Sequence, residues 1–459
     1  MAQKKKTGKE KNQKKPCLRL KPAEEFGKIR EKAPEKLRSA RSLCAEAAAG
    51  LYKKTDSLIR MKHSAALITV FFLLLMLFTY SLTPFRYLFG NFPLYTTRTT
   101  QFYLIDYSVG FVSRALVGHI ISLFTDKVSM ALIVRLTHVA LWLSLILQSS
   151  LAALAFKKSW LKNSPLLCAL FVLFVMSHHT VIPNVVNFGV LDTYNLLLAI
   201  LYVYISDTKA AYILTPVICF TGIILHYEFV LAYITFILSA EVYYIVKNKK
   251  GRFLRTAVFF FTVLSSVALT IYLMFFSKYH TRMDASELYD HMASKYTDVK
   301  GWGLFEEYFT YYIYGDYQGA NYSSPADFIK FLTQYSVDRI RPFSHICYAL
   351  SAFPVFGVIL YFWIYIFKRA EKRMRLPYFV FMLQPLMLVL AMVISTDTSR
   401  WAGANFFSNF MLLWVVLRSD EPLLLEAAKK ITGSRPKKAI LSFIIIGSYA
   451  LTVYIYSIP

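Results

Sequence analysis

A few ionisable residues interrupt the apolar stretches of this chain. Asp106 and Arg114 lie in "YLIDYSVGFVSRALVGHIISLF" (103–124), and His178 and His179 in "SHHTVIPN" (177–184). Asp192 lies in "NFGVLDTYN", His226 and Glu228 in "ILHYEF", and Asp397 and Arg400 in "TDTSRWAG". Charges inside or at the edge of apolar spans are costly, so each is a functional candidate by default. A guanidinium fork matches a phosphate or pyrophosphate, which gives Arg114 a chemistry; its alternative is to snorkel to head groups. Asp106 either caps a short helix at an interface or serves a ligand, because Gly110 and Gly118 beside it permit close approach.

The remaining candidates carry similar pairs of readings. The two adjacent histidines are interfacial or belong to a site. Asp192 sits about two turns into a span, where a hydrogen bond to a Tyr or Asn of a neighbouring helix is the simplest use. His226 and Glu228, two residues apart, face one site only if they occupy a turn between spans. Asp397 and Arg400 are three apart and share a helix face; Asp397 alternatively caps the helix that follows.

Composition fixes the setting. Of 459 residues, 56% are hydrophobic and 17% aromatic, above the roughly 45–50% apolar content of soluble domains. Several runs of about 20 apolar residues are long enough to span a bilayer, and spans of that length are helical because lipid offers backbone amides no partner. The chain therefore reads as an all-α polytopic membrane protein. About eleven spans are expected, near 64–84, 129–156, 165–182, 186–205, 210–226, 227–246, 253–277, 343–367, 376–395, 402–418 and 438–457. Two long outer loops, 85–128 and 278–342, carry short interfacial helices.

The net charge is +25. Residues 1–21 read as a disordered basic cytoplasmic tail, and 22–63 as amphipathic juxtamembrane helix broken near Pro34. A signal peptide would place its apolar core closer to Met1, so none is expected. The tail suits anionic lipid head groups, and no recognition motif points to nucleic acid. Basic segments 157–163, 247–255, 368–375 and 418–438 alternate with the outer loops. The positive-inside rule then places the N-terminus in the cytoplasm and the C-terminus outside. Under that topology every candidate residue falls near the outer end of its span. The five cysteines show no CxxC or metal spacing. No Walker loop, GxGxxG, HExxH or GxSxG occurs.

With the long outer loop that carries Asp106 and the second long loop before the eighth span, the layout resembles the C-type (GT-C superfamily) membrane glycosyltransferases. The "DYSVGFVSRALVG", "HYE" and "DTSRW" blocks are also similar to those of uncharacterised bacterial multi-pass membrane proteins. The resemblance implies transfer of a sugar from a polyprenyl-phosphate donor to a glycan, lipid or protein acceptor on the extracytoplasmic face. Asp106 and Glu228 would be the catalytic carboxylates, with burial raising the Asp106 pKa towards a useful range, or with Asp106 holding a divalent cation. Arg114, Arg400 and His226 would hold the donor phosphate, and His178, His179, Asp192 and Asp397 would support them. Loop 278–342, with Trp302, would cover the site. The alternatives are a polysaccharide polymerase or ligase of the same face, and a multi-pass transporter or lipid flippase. The scarcity of charges elsewhere in the spans weighs against transport.

Overall fold

The computed structural model describes residues 50, 53–81, 100–185, 191–226, 229–276, 283–297, 326, 343–394 and 398–457. The chain divides into a small unit, residues 1–64, and a large one, residues 65–459. In the small unit the described helix Lys53–Arg60 carries an exposed Arg60–Asp56 pair one turn apart at 2.8 Å. Of the expected tail and juxtamembrane helix, residues 1–49, 51 and 52 lie outside the described residues, as do the loop segments 85–99, 278–282, 298–325 (with Trp302) and 327–342.

The large unit is helical. In chain order its helices are α1 (Ser64–Ser81), α2 (Leu116–Ser122), α3 (Met130–Leu161), α4 (Pro165–Met176) and α5 (His178–Val185). Then come α6 (Asp192–Ile205), α7 (Ala211–Leu225), α8 (Val230–Lys247), α9 (Arg252–Phe276) and α10 (Ala285–Lys295). The last are α11 (Phe343–Arg369), α12 (Arg375–Leu383), α13 (Leu386–Ile394), α14 (Thr398–Arg418), α15 (Pro422–Ile431) and α16 (Arg435–Ser457). Among the described residues six helical stretches are long and apolar enough to cross a membrane: α3, α8, α9, the Leu350–Arg369 part of α11, Lys372–Ala391, and the Arg435–Val453 part of α16. This is a multi-pass membrane protein. α4, α6 and α7 are apolar but shorter, at 10–17 residues.

Local chemistry sets the boundaries. Ser129 caps α3 by accepting a hydrogen bond from the Leu132 amide at 3.2 Å, and Pro165 opens α4, where its missing N–H costs nothing. The expected single span 165–182 is instead broken: Ser177 is extended, with ψ 134°, and α5 restarts at His178. At the other end of the helical hairpin α6–α7–α8, His226 leaves α7 in an extended conformation and the helix resumes at Phe229.

Polar pairs show how the helices run. Arg400, near the start of α14, meets Asp192, the first residue of α6. Arg418, the last residue of α14, donates to the Val203 carbonyl at 3.1 Å and to Ser206 Oγ at 3.0 Å, at the end of α6. The two helices are therefore parallel. Eighteen residues at 1.5 Å rise place the two arginines about 27 Å apart along α14, and their side chains reach points about 17–21 Å apart on α6. Lys158 and Lys247, ending α3 and α8, donate to the carbonyls of Arg418 and Ser419 at 2.8 and 2.7 Å. Lys158 and Lys162 both reach Asp420, each at 2.9 Å, and hold its carboxyl down at about 2. We call this the basic end and the opposite one the loop end.

One buried network at the basic end corrects the sequence expectation that charges are scarce away from the loop end. Glu241 of α8 and Arg255 of α9 are each 3% exposed and paired at 2.6 and 2.9 Å. The Tyr202 hydroxyl donates to Glu241 at 2.9 Å, and Arg255 also donates to the Ser206 carbonyl. Removing one partner of such a pair leaves a buried charge alone. Glu241→Leu is expected to cost about 3–5 kcal/mol, and adding Arg255→Met to recover most of it. Unfolding in detergent measures both; an equal loss in the single and double variants would contradict the pairing.

Candidate functional site

The loop end is built around the segment 100–128, folded over its own core. Phe102, Tyr103, Ile105, Val109 and Val112 are buried with Leu191 from the start of α6 and with Leu288 and Met292 from α10. Gly118 lets α2 touch this segment: a Cβ there would fall 2.0 Å from the Ile105 carbonyl oxygen. This close approach is a structural use for one of the two glycines singled out in the sequence. Gly110 has the other, a φ of 127° that disfavours side chains. Helix α10 is anchored beside it. Its capping box pairs Asp284 with Glu287, and Val128 and Tyr296 bridge, with the Val128 amide donating to the Lys295 carbonyl at 2.8 Å.

That anchoring delivers two residues, His291 and Lys295, one turn apart on α10, to Asp106. Lys295 Nζ pairs with Asp106 Oδ2, and His291 Nε2 lies 3.5 Å from Oδ1. Asp106 also caps the single turn Tyr107–Val109, accepting from the Ser108 amide at 2.9 Å and from its hydroxyl. The capping role anticipated for Asp106 is therefore present, together with an ion pair. Burial pushes its carboxyl up, as expected from sequence, but the hydrogen bonds from His291, Lys295 and Ser108 outweigh it. They hold the group well below the usual carboxylate range. Asp106 is a fixed anion rather than a base poised near neutrality.

Arg114 is buried (7% exposed) with a left-handed φ of 70°, a conformation that costs about 1–3 kcal/mol for a residue with a side chain. Its amide donates to the Ile224 carbonyl at 3.0 Å, which fastens the loop to the end of α7. The guanidinium donates to His226 Nε2 at 2.6 Å and lies over the Phe102 ring. Because a guanidinium only donates, this His226 nitrogen is the unprotonated one.

Asp192 and Arg400 form a bidentate pair at 2.6 and 2.7 Å. Asp192 thus meets a cation, not the Tyr or Asn expected of it. Glu228 and Asp397 lie outside the described residues. His178 and His179 are core residues: both are buried, and His179 Nε2 is 2.8 Å from Ser351 Oγ with its ring against Phe406. Candidates from four separate stretches thus enter three distinct pairings at the loop end, Asp106 with α10, Arg114 with His226 and Asp192 with Arg400, and the histidine pair joins none of them.

A small cavity of about 20 Å³, room for a single water molecule, is lined by Asp192 and Arg400 together with Asn195, Phe229, Tyr233 and Trp401. Asp106 and Arg114 do not line it. A divalent cation at Asp106 fits poorly: its carboxylate faces a lysine and a histidine, and among the described residues no three His, Cys, Asp or Glu side chains gather as metal ligands. The sequence reading passed over His291, Lys295, Asn195 and Trp401. The one available signal was the four-residue spacing of His291 and Lys295 behind the Asp284–Glu287 capping box, which places both on one helix face. Comparison with protein-family models, characterised proteins and solved structures finds no match for this chain.

Two tests follow from this geometry. Gly118→Ala is expected to cost about 1–3 kcal/mol through overpacking, read as a lowered melting temperature; an unchanged value would contradict the close approach. Because the folded Asp106 pKa is depressed, its stabilisation is complete above the unfolded value near 4 and drains away as pH falls below it. The gap in melting temperature between the wild type and Asp106→Asn should be widest near neutral pH and close in acid. A gap indifferent to pH would contradict the ion pair.

Proposed function

We propose that this protein is a membrane glycosyltransferase moving a sugar from a polyprenyl-phosphate donor to an acceptor on the extracytoplasmic face, as the resemblance to the GT-C superfamily implies. In this reading α4–α5, α6, α7, α14 and α1 cross the membrane as well, giving eleven spans. The N-terminus is cytoplasmic, and the loop end faces outwards. Anionic lipids meet the basic N-terminal tail.

The observation that carries the reading is the Asp106 carboxylate, held ionised by His291 and Lys295 at the loop end. Glycosyl transfer develops positive charge on the sugar in an oxocarbenium-like transition state. A preorganised anion beside that charge is worth most in a dry site. Asp106 would orient the acceptor hydroxyl and stabilise the developing cation. The acceptor oxygen bonds to the anomeric carbon as the bond to phosphate breaks, and the acceptor's proton passes to the departing phosphate, which keeps the bonding pair. Arg114, positioned by the Ile224 carbonyl, would stabilise the departing phosphate, with Glu228 as the second carboxylate. Arg400, held by Asp192, and His226, held by Arg114, would assist at the donor phosphate, as the resemblance implies.

A second reading, a transporter or lipid flippase, is favoured by one specific feature. Polar side chains continue along α14 from Arg400 through Asn405 and Asn409 to Arg418, and Gln384 approaches Asn405 at 3.5 Å. Purified protein assayed with radiolabelled polyprenyl-phosphate sugars and a lipid or glycan acceptor separates the two. Transfer by the wild type is expected to fall at least about 10²-fold in Asp106→Asn and in Arg114→Ala. No transfer by a folded wild type, with movement of labelled lipid across proteoliposomes, would establish the second reading instead.

A further inference from the structure

A groove of about 340 Å³ runs between α11 and α16, apart from the loop-end site. Its walls are two helical stripes. α11 contributes Pro354, Gly357, Val358 and Tyr361, and α16 contributes Lys437, Ile440, Leu441 and Ile444. In both the spacing is i, i+3, i+4, i+7, which is one face of a helix. Val358 and Leu441, each 5% exposed, form the floor. The groove exists because α11 turns small side chains towards it. A Cβ built on Gly357 would meet no atom within 4 Å, so close helix packing does not require this glycine. Glycine in a helix interior is destabilising relative to alanine, and here it leaves open space.

The surroundings specify an occupant. Beside the groove Ile440 and Phe443 are 61% and 78% exposed, on a helix long and apolar enough to cross a membrane. The groove therefore opens to hydrocarbon. Its end at Lys437, in the first turn of α16, is different. Arg435 and Lys438 flank that residue, and Lys429 and Lys430 lie in the last turn of α15. All five are exposed, and among the described residues none is in an ion pair. Residues 427–459 contain no Asp or Glu. This is the basic end, since Asp420, two residues before α15, is held by Lys158 and Lys162. Snorkelling accounts for cations at the end of a span, but not for the open trough beside Gly357. An apolar trough that ends in unpaired cations is complementary to an amphiphile with an anionic head. A free phosphate would leave the trough empty, and a neutral lipid would leave the cations to water. We propose that this groove binds an acyl chain of an anionic phospholipid in the leaflet at the basic end, with the lipid phosphate at Lys437 and its neighbouring cations. The proposal does not rest on the glycosyl-transfer reading.

The test is native mass spectrometry of the purified full-length chain, delipidated in detergent and then given equimolar phosphatidylglycerol and phosphatidylcholine with the same acyl chains. Inorganic phosphate supplies the arm with a head group alone. The wild type is expected to retain phosphatidylglycerol at least about fivefold better than phosphatidylcholine, and millimolar inorganic phosphate not to displace it. Lys437→Gln changes an exposed side chain and so reads the head-group end without touching the fold. It is expected to weaken phosphatidylglycerol retention about fivefold, the worth of one cation near a lipid surface, and to leave phosphatidylcholine unchanged. Gly357→Leu places an apolar side chain in the groove. It is expected to weaken both lipids alike and to melt no lower than the wild type, because its Cβ meets no atom within 4 Å. Phosphatidylglycerol retention that either variant leaves intact would overturn the proposal and place the lipid elsewhere, as at the basic N-terminal tail. Equal retention of the two lipids by the wild type, or displacement by inorganic phosphate, would overturn it too. So would a dimer mass without lipid that Gly357→Leu abolishes, which would make the groove a contact between two copies of the chain.

Discussion

A buried charge in a lipid-facing helix bundle has no water to fall back on, and that constraint organises the structure. Every charged side chain that the apolar segments carry into the interior has to find a protein partner. Asp192 and Arg400, 208 residues apart, do so with both carboxylate oxygens and two guanidinium nitrogens. Their pairing sets the parallel alignment of α6 and α14, and Arg418 closes the same two helices at their other end. Glu241 and Arg255 do for α8 and α9 what Asp192 and Arg400 do for α6 and α14. Such pairs add little net stability over apolar packing, but breaking one is costly. They therefore specify which helix lies beside which in a bundle whose other surfaces are similarly apolar.

The same constraint fastens the loop segment to the bundle. Residues 100–128 bury an apolar core against Leu191, Leu288 and Met292. The two buried charges of the segment are each held from elsewhere: Asp106 by α10, Arg114 by the end of α7. The left-handed backbone of Arg114 is tolerated because its amide and its side chain are both fixed to that helix end. The result is a fixed anion and a fixed cation at one end of the molecule. Preorganised charge of this kind is what transfer chemistry at a membrane surface uses.

Sequence made part of this legible. Uninterrupted apolar runs reveal helices because their length and lack of charge do not depend on context, and the extended His226 sits where a turn was expected. The candidate charges were visible for the same reason: Asp106, Arg114, Asp192 and Arg400 stand out against apolar neighbours. Their partners were not visible. Lys295 lies in a polar segment where one more lysine carries no signal, and nothing local ties Asp192 to a residue 208 positions later. Glu241, near the end of α8, reads as an interfacial residue until α9 is seen to bring Arg255 against it. The direction of the Asp106 shift was misjudged for a related reason. Burial is readable from hydropathy, whereas the opposing hydrogen bonds come from a helix nearly 190 residues away. The break at Ser177 had no sequence signal of the usual kind, since neither glycine nor proline occupies it.

The central claim is that polar groups collect at two opposite ends of the bundle, one on each side of the membrane. Cysteine labelling in sealed vesicles tests it most directly. In a chain stripped of its five native cysteines, Ser108→Cys marks the loop end and Lys209→Cys the basic end; both positions are exposed. A membrane-impermeant maleimide added from one side is predicted to label one of the two positions and spare the other until the membrane is permeabilised. Labelling of both from the same side would contradict the account.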